Sequence, residues 1–158
     1  MKKLGFGLMR LPKINGEIDI EQVKSMADAF LSNGFTYFDT AYVYENSEVA
    51  FKEAVVKRYN RSDYYIADKL TAWKLKEGSD KEEIFKESLD RLGIEYIDYY
   101  LLHAVQEANI EIYYENDCWN FCQELKKKGL IKHFGFSFHG SPALLENCLL
   151  YTSDAADE

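Results

Sequence analysis

The sequence predicts an α/β fold with a parallel sheet: an incomplete (β/α)8 TIM barrel holding about five of the eight strand–helix units. Three observations lead there. First, the hydrophobic period alternates between that of a strand and that of a helix, unit after unit, which demands a parallel sheet covered by helices. Second, polar residues close the apolar runs at near-constant intervals. Asp39, Lys69, His103 and Ser137 lie 30, 34 and 34 residues apart, and Gly7 precedes Asp39 by 32. One candidate side chain per unit, all delivered to one end of the sheet, is how barrel sites are built. Third, the marker of an open doubly wound sheet is missing. Gly5-Phe6-Gly7 runs into Leu8 to Leu11 with no G-x-G-x-x-G before the first helix. Eight units of roughly 32 residues need about 250. The 158 residues present have room for about five.

Gly5 to Met9 supplies a first strand. Val23, Met26, Ala27, Phe30 and Leu31 follow the i, i+3, i+4, i+7, i+8 spacing of a helix with one buried face, with Asp19 as N-cap and Gly34 as terminator. Phe35 to Phe38 is short, aromatic and β-branched, a strand pattern. A second helix spans about Ser47 to Tyr59, and Tyr64 to Ala67 reads as a buried strand. Ser79-Asp80-Lys81-Glu82 has the spacing of a capping box, opening a helix whose apolar face is Phe85, Leu89 and Leu92 and which Gly93 ends. Ile97 to Leu102 is nearly all apolar or aromatic, the pattern of a strand buried on both faces. Cys118, Phe121, Cys122 and Leu125 share one face of a fourth helix. Lys126 to Lys128 suit the negative end of its dipole, as a solvated helix end and not a phosphate site, and Gly129 follows. His133 to Phe138 is a further strand, and Ser141-Pro142 an N-cap and N1 pair for a last helix.

Composition narrows the function. Hydrophobic residues make up 47% and charged residues 29%, and the net charge of −8 argues against a nucleic-acid surface. No apolar stretch approaches the ~20 residues needed to cross a bilayer, and no secretory h-region opens the chain. Three cysteines make no disulfide framework and fit a reducing cytoplasm. Cys118 and Cys122 stand i, i+4 on a helix, but no further Cys or His pair completes a metal site, so core packing is the better reading and no metal is expected.

Phe38-Asp39-Thr40-Ala41-Tyr42-Val43-Tyr44 with Asn46-Ser47-Glu48, then Ala67-Asp68-Lys69-Leu70, then Asp98 to Leu102 with His103, resembles the aldo-keto reductase family. The pattern is an Asp with a Tyr five residues later, a Lys ending the next strand and a His ending the one after. Each motif alone is weak, and four in register are specific. The resemblance covers about residues 4 to 147. The opening Gly5 to Pro12 is similar to bacterial members that carry a C-terminal iron–sulfur domain, so such a cluster is expected only if that domain follows. Gly135-Phe136-Ser137-Phe138-His139 resembles the fifth strand, whose polar residues hold the nicotinamide carboxamide. It departs from the commoner form in having Phe138 where Asn follows Ser; His139 is the candidate substitute.

The resemblance implies hydride transfer from NADPH (or NADH) to a small aldehyde or ketone, with Asp39, Tyr44, Lys69 and His103 as the catalytic set. Gly7, Met9, Asp39, Ser137 and His139 are the implied cofactor contacts. Tyr44 would be the general acid. A free phenol has a pKa near ~10, and an ammonium beside it lowers that value, the role expected of Lys69, with Asp39 as its partner. His103 would orient the carbonyl or relay the proton. Trp73 and Met9 are candidates for the substrate pocket. Taken singly, these residues fit blander roles: an Asx turn at Asp39, packing at Tyr44, a solvated lysine at Lys69, a satisfied core histidine at His103. Their joint register carries the functional reading.

On this reading residues 1–147 are the partial barrel domain. Residues 148–158 do not continue the family pattern and resemble translated adapter sequence or, more simply, a short helix with an acidic end. A five-unit chain would leave strand edges bare, bind NADPH poorly and self-associate as a half-barrel.

Overall fold

The computed structural model describes residues 3–153. Five parallel strands pair in the order β1 (Gly5–Gly7), β4 (Tyr37–Asp39), β5 (Tyr65–Leu70), β6 (Ile97–Val105), β7 (Ile131–Phe138). The order follows the chain without reversal. A doubly wound sheet reverses at its switch point, whereas a barrel adds each strand beside the last. The sheet is therefore an arc of a barrel, five strands wide.

Between β1 and the first helix lies a hairpin that the sequence reading passed over, β2 (Lys13–Ile14) and β3 (Glu17–Ile18). Its two-residue loop is Asn15-Gly16, both at positive φ (53° and 88°), the Asn-Gly turn that matches strand twist. The first strand stops at Gly7, short of the Met9 expected, because Leu8 turns into the core while its N–H still donates to the Asp39 carbonyl at 2.8 Å. The expected strand at Phe35 to Phe38 lies two residues later in its start, at Tyr37–Asp39.

Helix α1 (Ile20–Ser32) starts as expected, the Asp19 carboxylate accepting from the Gln22 N–H at 3.1 Å. Val23 and Ala27 form its buried line. Met26, predicted on that line, is 38% exposed at its rim. The helix expected over 47–59 is shorter: α2 (Ser47–Phe51) widens into a π-helical turn at Lys52–Val56. Two short helices were not foreseen, α3 (Ala72–Lys76) and α5 (Ile110–Glu115).

Helix α4 (Lys81–Leu92) is capped by Asp80, not by Ser79. The Asp80 carboxylate accepts from both the Glu82 and Glu83 N–H groups, so no Ser79 capping box forms. Gly93 ends it at φ 69°, and a Cβ there would come within 2.6 Å of the Lys52 side chain. Helices α6 (Cys118–Lys127) and α7 (Pro142–Ser153) complete the set. Helix α7 runs across the boundary expected at residue 147, and residues 154–158 of the expected tail lie outside the described residues.

Side-chain alternation along the strands divides the sheet into two faces. Phe38, Ile66, Asp68, Leu70, Tyr100 and Leu102 point toward the helices and are fully buried there. Tyr37, Asp39, Tyr65, Lys69, Tyr99, Leu101 and His103 share the other face, the inside of the arc. Toward its N-terminal end this face is aromatic, not aliphatic: Tyr99 stacks on His133 with centroids 4.8 Å apart and meets Tyr37 edge-on at 5.4 Å. The expected burial of Ile97 to Leu102 on both faces is not what the structure has; Tyr99 and Leu101 are only half-buried because the helices cover one face.

Candidate active site

Strand register brings four side chains to the C-terminal end of the inner face. Asp39 is the last residue of β4 and pairs with Ala67; Lys69 lies two residues further along β5 and pairs with Leu101; His103 lies two residues further along β6. Tyr44 enters from the loop after β4. That loop is fixed to the outer helices: the Tyr42 hydroxyl donates to Glu87 at 2.6 Å, and Arg91 lies over the Tyr42 ring and pairs with Glu48 at 3.1 Å.

Lys69 is 5% exposed, and its ammonium makes two short hydrogen bonds. Nζ donates to Asp39 Oδ1 and to the Thr40 carbonyl, each at 2.5 Å, and lies 5.1 Å from the Tyr44 ring centroid. The Tyr44 hydroxyl is 3.5 Å from His103 Nε2, with the two rings edge-to-face at 5.5 Å. All four predicted residues thus form one connected cluster.

The electrostatics correct one expectation. The Tyr44 pKa is raised, not lowered, chiefly by burial and then by the charges of Asp39 and Asp68. Burial disfavours the phenolate, and the two carboxylates nearby act in the same direction. The His103 pKa is pulled down to about 4 by burial, with the charges of Lys69 and His139 adding to it, so the imidazole is neutral near pH 7.

Residues that sequence reasoning missed hold this cluster in place. Thr71, fully buried, puts Oγ1 3.3 Å from His103 Nδ1. The Tyr113 hydroxyl donates to the His103 carbonyl at 2.7 Å, lies 3.1 Å from that of Leu70, and accepts from the Ala72 N–H. Directly after His103, Ala104 sits at φ 54° in a break of the β6–β7 register. Ser137 Oγ accepts its N–H at 2.7 Å and Asn109 donates to its carbonyl at 2.9 Å. The only signal for Thr71 was parity, since it falls on the same alternation as Lys69.

The remaining predicted residues are more dispersed. Ser137 is next to the cluster through Ala104, and His139 is exposed one residue beyond the strand end. Gly7 pairs with Asp39, and a Cβ built on it meets no atom within 4 Å. Trp73 is 41% exposed with its ring 5.4 Å from that of His103. Met9 is 64% exposed and lines a groove with Arg10, Lys13 and Glu45, not with the four central residues. A larger groove of about 440 Å³ between α4 and α6 shares no residue with the cluster. Cys118 and Cys122 are buried free thiols, and among the described residues no group of three or more His, Cys, Asp or Glu could hold a metal. Among the same residues no helix is long and apolar enough to cross a membrane.

A sequential parallel sheet, an arc of a (β/α)8 barrel, thus gathers a tyrosine, a lysine, an aspartate and a histidine at its C-terminal end. Comparison with known proteins agrees: the family model described as "Aldo/keto reductase family" matches residues 3–156, and the chain belongs to that family. It is 36% identical over 155 residues to an NAD/NADP-dependent indole-3-acetaldehyde reductase of Schizosaccharomyces pombe, covering 94% of this chain and 50% of the relative. It is 32% identical over 149 residues to the methylglyoxal reductase DkgA of Escherichia coli O157:H7, covering 92% and 50%. Among solved structures, the thermostable aldo-keto reductase Tm1743, in complex with the inhibitor epalrestat, superposes with a TM-score of 0.77 at 26% identity, covering 96% of this chain and 54% of that one. The chain spans about half the length of the curated relatives it matches.

Proposed function

We propose that these residues form the catalytic half of an NAD(P)H-dependent oxidoreductase that reduces aldehyde or ketone carbonyls to alcohols. One observation carries the reading: the Tyr44 hydroxyl, the His103 imidazole and the Asp39-bound ammonium of Lys69 meet at the strand ends. The phenol holds its proton near neutrality and so has one to donate, while its raised pKa makes that donation depend on the cation beside it. The phenol donates that proton to the carbonyl oxygen as it gains alkoxide character. Lys69, held by Asp39 and Thr40, keeps a cation beside the ring in which phenolate charge then develops. His103, neutral, has one ring N–H, which would turn from Tyr44 to the same oxygen when a carbonyl is bound.

The bound cofactor supplies the hydride. Residues here fit a carboxamide-bearing group. Ser137 Oγ already accepts from Ala104 and keeps its own proton to donate, His139 is exposed beside it, and the surface above Gly7 is open. Gly7, Met9, Asp39, Ser137 and His139 are the proposed contacts. The indole-3-acetaldehyde reductase is described as NAD/NADP-dependent and DkgA as a methylglyoxal reductase, which supports a nicotinamide cofactor and a small aldehyde here. The test is NADPH-dependent loss of absorbance with an aldehyde panel, run on this chain within an eight-unit barrel. Activity abolished by Tyr44→Phe supports the reading, and full activity in that variant refutes it.

A second reading concerns the 158 residues alone. β1 and β7 each have one neighbour in the sheet, and the inner face is partly open. Unpaired edges recruit other chains, so we propose that this chain by itself self-associates and binds NADPH weakly. Light scattering that finds a monodisperse monomer, with saturable cofactor binding by calorimetry, would overturn this.

A further inference from the structure

We propose that Thr71 is a positioning residue that selects the tautomer of His103: its hydroxyl donates to Nδ1, so the ring proton resides on Nε2 and faces Tyr44. The proposal deepens the reading of His103 as a donor and rests on it for its catalytic meaning, though not for its geometry.

A neutral imidazole carries one proton on one of two nitrogens, and the partner of one nitrogen decides the state of the other. Here the partner of Nδ1 is Thr71 Oγ1 at 3.3 Å, and that of Nε2 is the Tyr44 hydroxyl at 3.5 Å. Thr71 stands at the N-cap position of α3, but its side chain makes no capping bond. Among the described residues the His103 ring is the one hydrogen-bond partner recorded for its hydroxyl, and the residue is fully buried.

Two polarities are possible. If Nδ1 carried the proton and donated to Oγ1, the threonine hydroxyl would keep a buried proton with nothing to accept it. Leaving a buried donor unsatisfied is costly. With the hydroxyl donating, only lone pairs go unused. This second polarity also suits the next link. A proton on Nε2 makes Tyr44 Oη an acceptor from the imidazole and leaves the phenolic O–H free to donate outward. The opposite polarity would draw the Tyr44 proton onto a bare Nε2. The ring is neutral near pH 7, as burial beside Lys69 and His139 dictates, so the choice is one of tautomer and not of charge. Trp73, 5.4 Å away at 40°, and the Tyr44 ring at 82° flank the imidazole on two sides.

The test is long-range ¹H–¹⁵N correlation of the histidine side chains in the ¹⁵N-labelled full chain at neutral pH. The chain has only three histidines, and the spectrum of His103→Gln assigns the one in question. The expected result is a protonated Nε2 and a bare Nδ1 at His103, retained in Thr71→Ser and shifted several-fold toward the other tautomer in Thr71→Val and Thr71→Ala. A proton on Nδ1 in the unsubstituted chain overturns the proposal whatever the variants do. So does a tautomer ratio unchanged in whichever of the Val and Ala variants folds. Because the readout needs no turnover, absent aldehyde reduction by the eight-unit barrel, with the expected tautomer found here, would sink the reductase reading while leaving the role of Thr71 standing.

Discussion

Lys69 and Asp39 form a 2.5 Å ion pair between the ends of two neighbouring strands, with the lysine 5% and the aspartate 32% exposed. The pair is asymmetric: the ammonium is enclosed and the carboxylate is about one-third exposed. Removing the carboxylate therefore strands the more deeply buried charge.

Asp39→Asn is accordingly expected to cost about 1–2 kcal/mol, below the ~3–5 kcal/mol of a fully buried broken pair because Asp39 is partly solvated. In a chain of this size that lowers Tm by roughly 3–6 °C, read by calorimetry. Lys69→Met, which removes the buried charge itself, should cost less than Asp39→Asn.

His103 predicts a loss of stability in acid. Its folded pKa is about 4 against an ordinary 6.5, so the unfolded chain takes up the proton first as pH falls. The stabilisation is complete above about pH 6.5, declines below it and is gone below about pH 4, an effect on the order of 1–3 kcal/mol. Urea midpoints of the unsubstituted chain and His103→Gln across this range should converge as pH falls.

Asp68 predicts the opposite trend. Its carboxyl is fully buried behind Lys69, where burial first and the Glu48 charge second push its pKa well above the ordinary value. A raised acid binds its proton more tightly when folded, so stability falls as pH climbs from the unfolded value toward the folded one. Asp68→Asn mimics the protonated acid and removes that dependence. The variant should gain on the unsubstituted chain between pH 5 and pH 8, and a protonated-carboxyl infrared band should vanish with it.

Ala104 holds a left-handed backbone that glycine adopts freely. Ala104→Gly is expected to stabilise by about 0.5–1 kcal/mol, the steric relief less the entropy glycine loses on folding. A Tm rise of a few degrees in a thermal melt checks it.

Three of the four central residues are legible from strand endings alone, and Tyr44, on a loop, is legible only through the family pattern. Asp39, Lys69 and His103 close apolar runs, and a parallel sheet must carry them to one end. Thr71 lies just past the apolar run that Lys69 closes, and alternation alone does not say that a buried hydroxyl there meets the His103 ring. The bend at Ala104 left no mark, since alanine is not the residue that usually signals positive φ. The cap of α4 fell one residue away because Ser79 and Asp80 are both good caps and only geometry shows which carboxylate or hydroxyl reaches the free N–H groups. The direction of the Tyr44 shift is set first by burial of the phenol and then by the carboxylates of Asp39 and Asp68, which spacing does not contain.

Tyr113 reaches the ends of β5 and β6 with a single oxygen, meeting the His103 carbonyl, the Leu70 carbonyl and the Ala72 amide at once. It works as a caliper. The gap between imidazole and ammonium is gauged by a phenol from α5 as well as by the ladder between the strands, so a substitution in that remote helix can detune the cluster without touching any member of it.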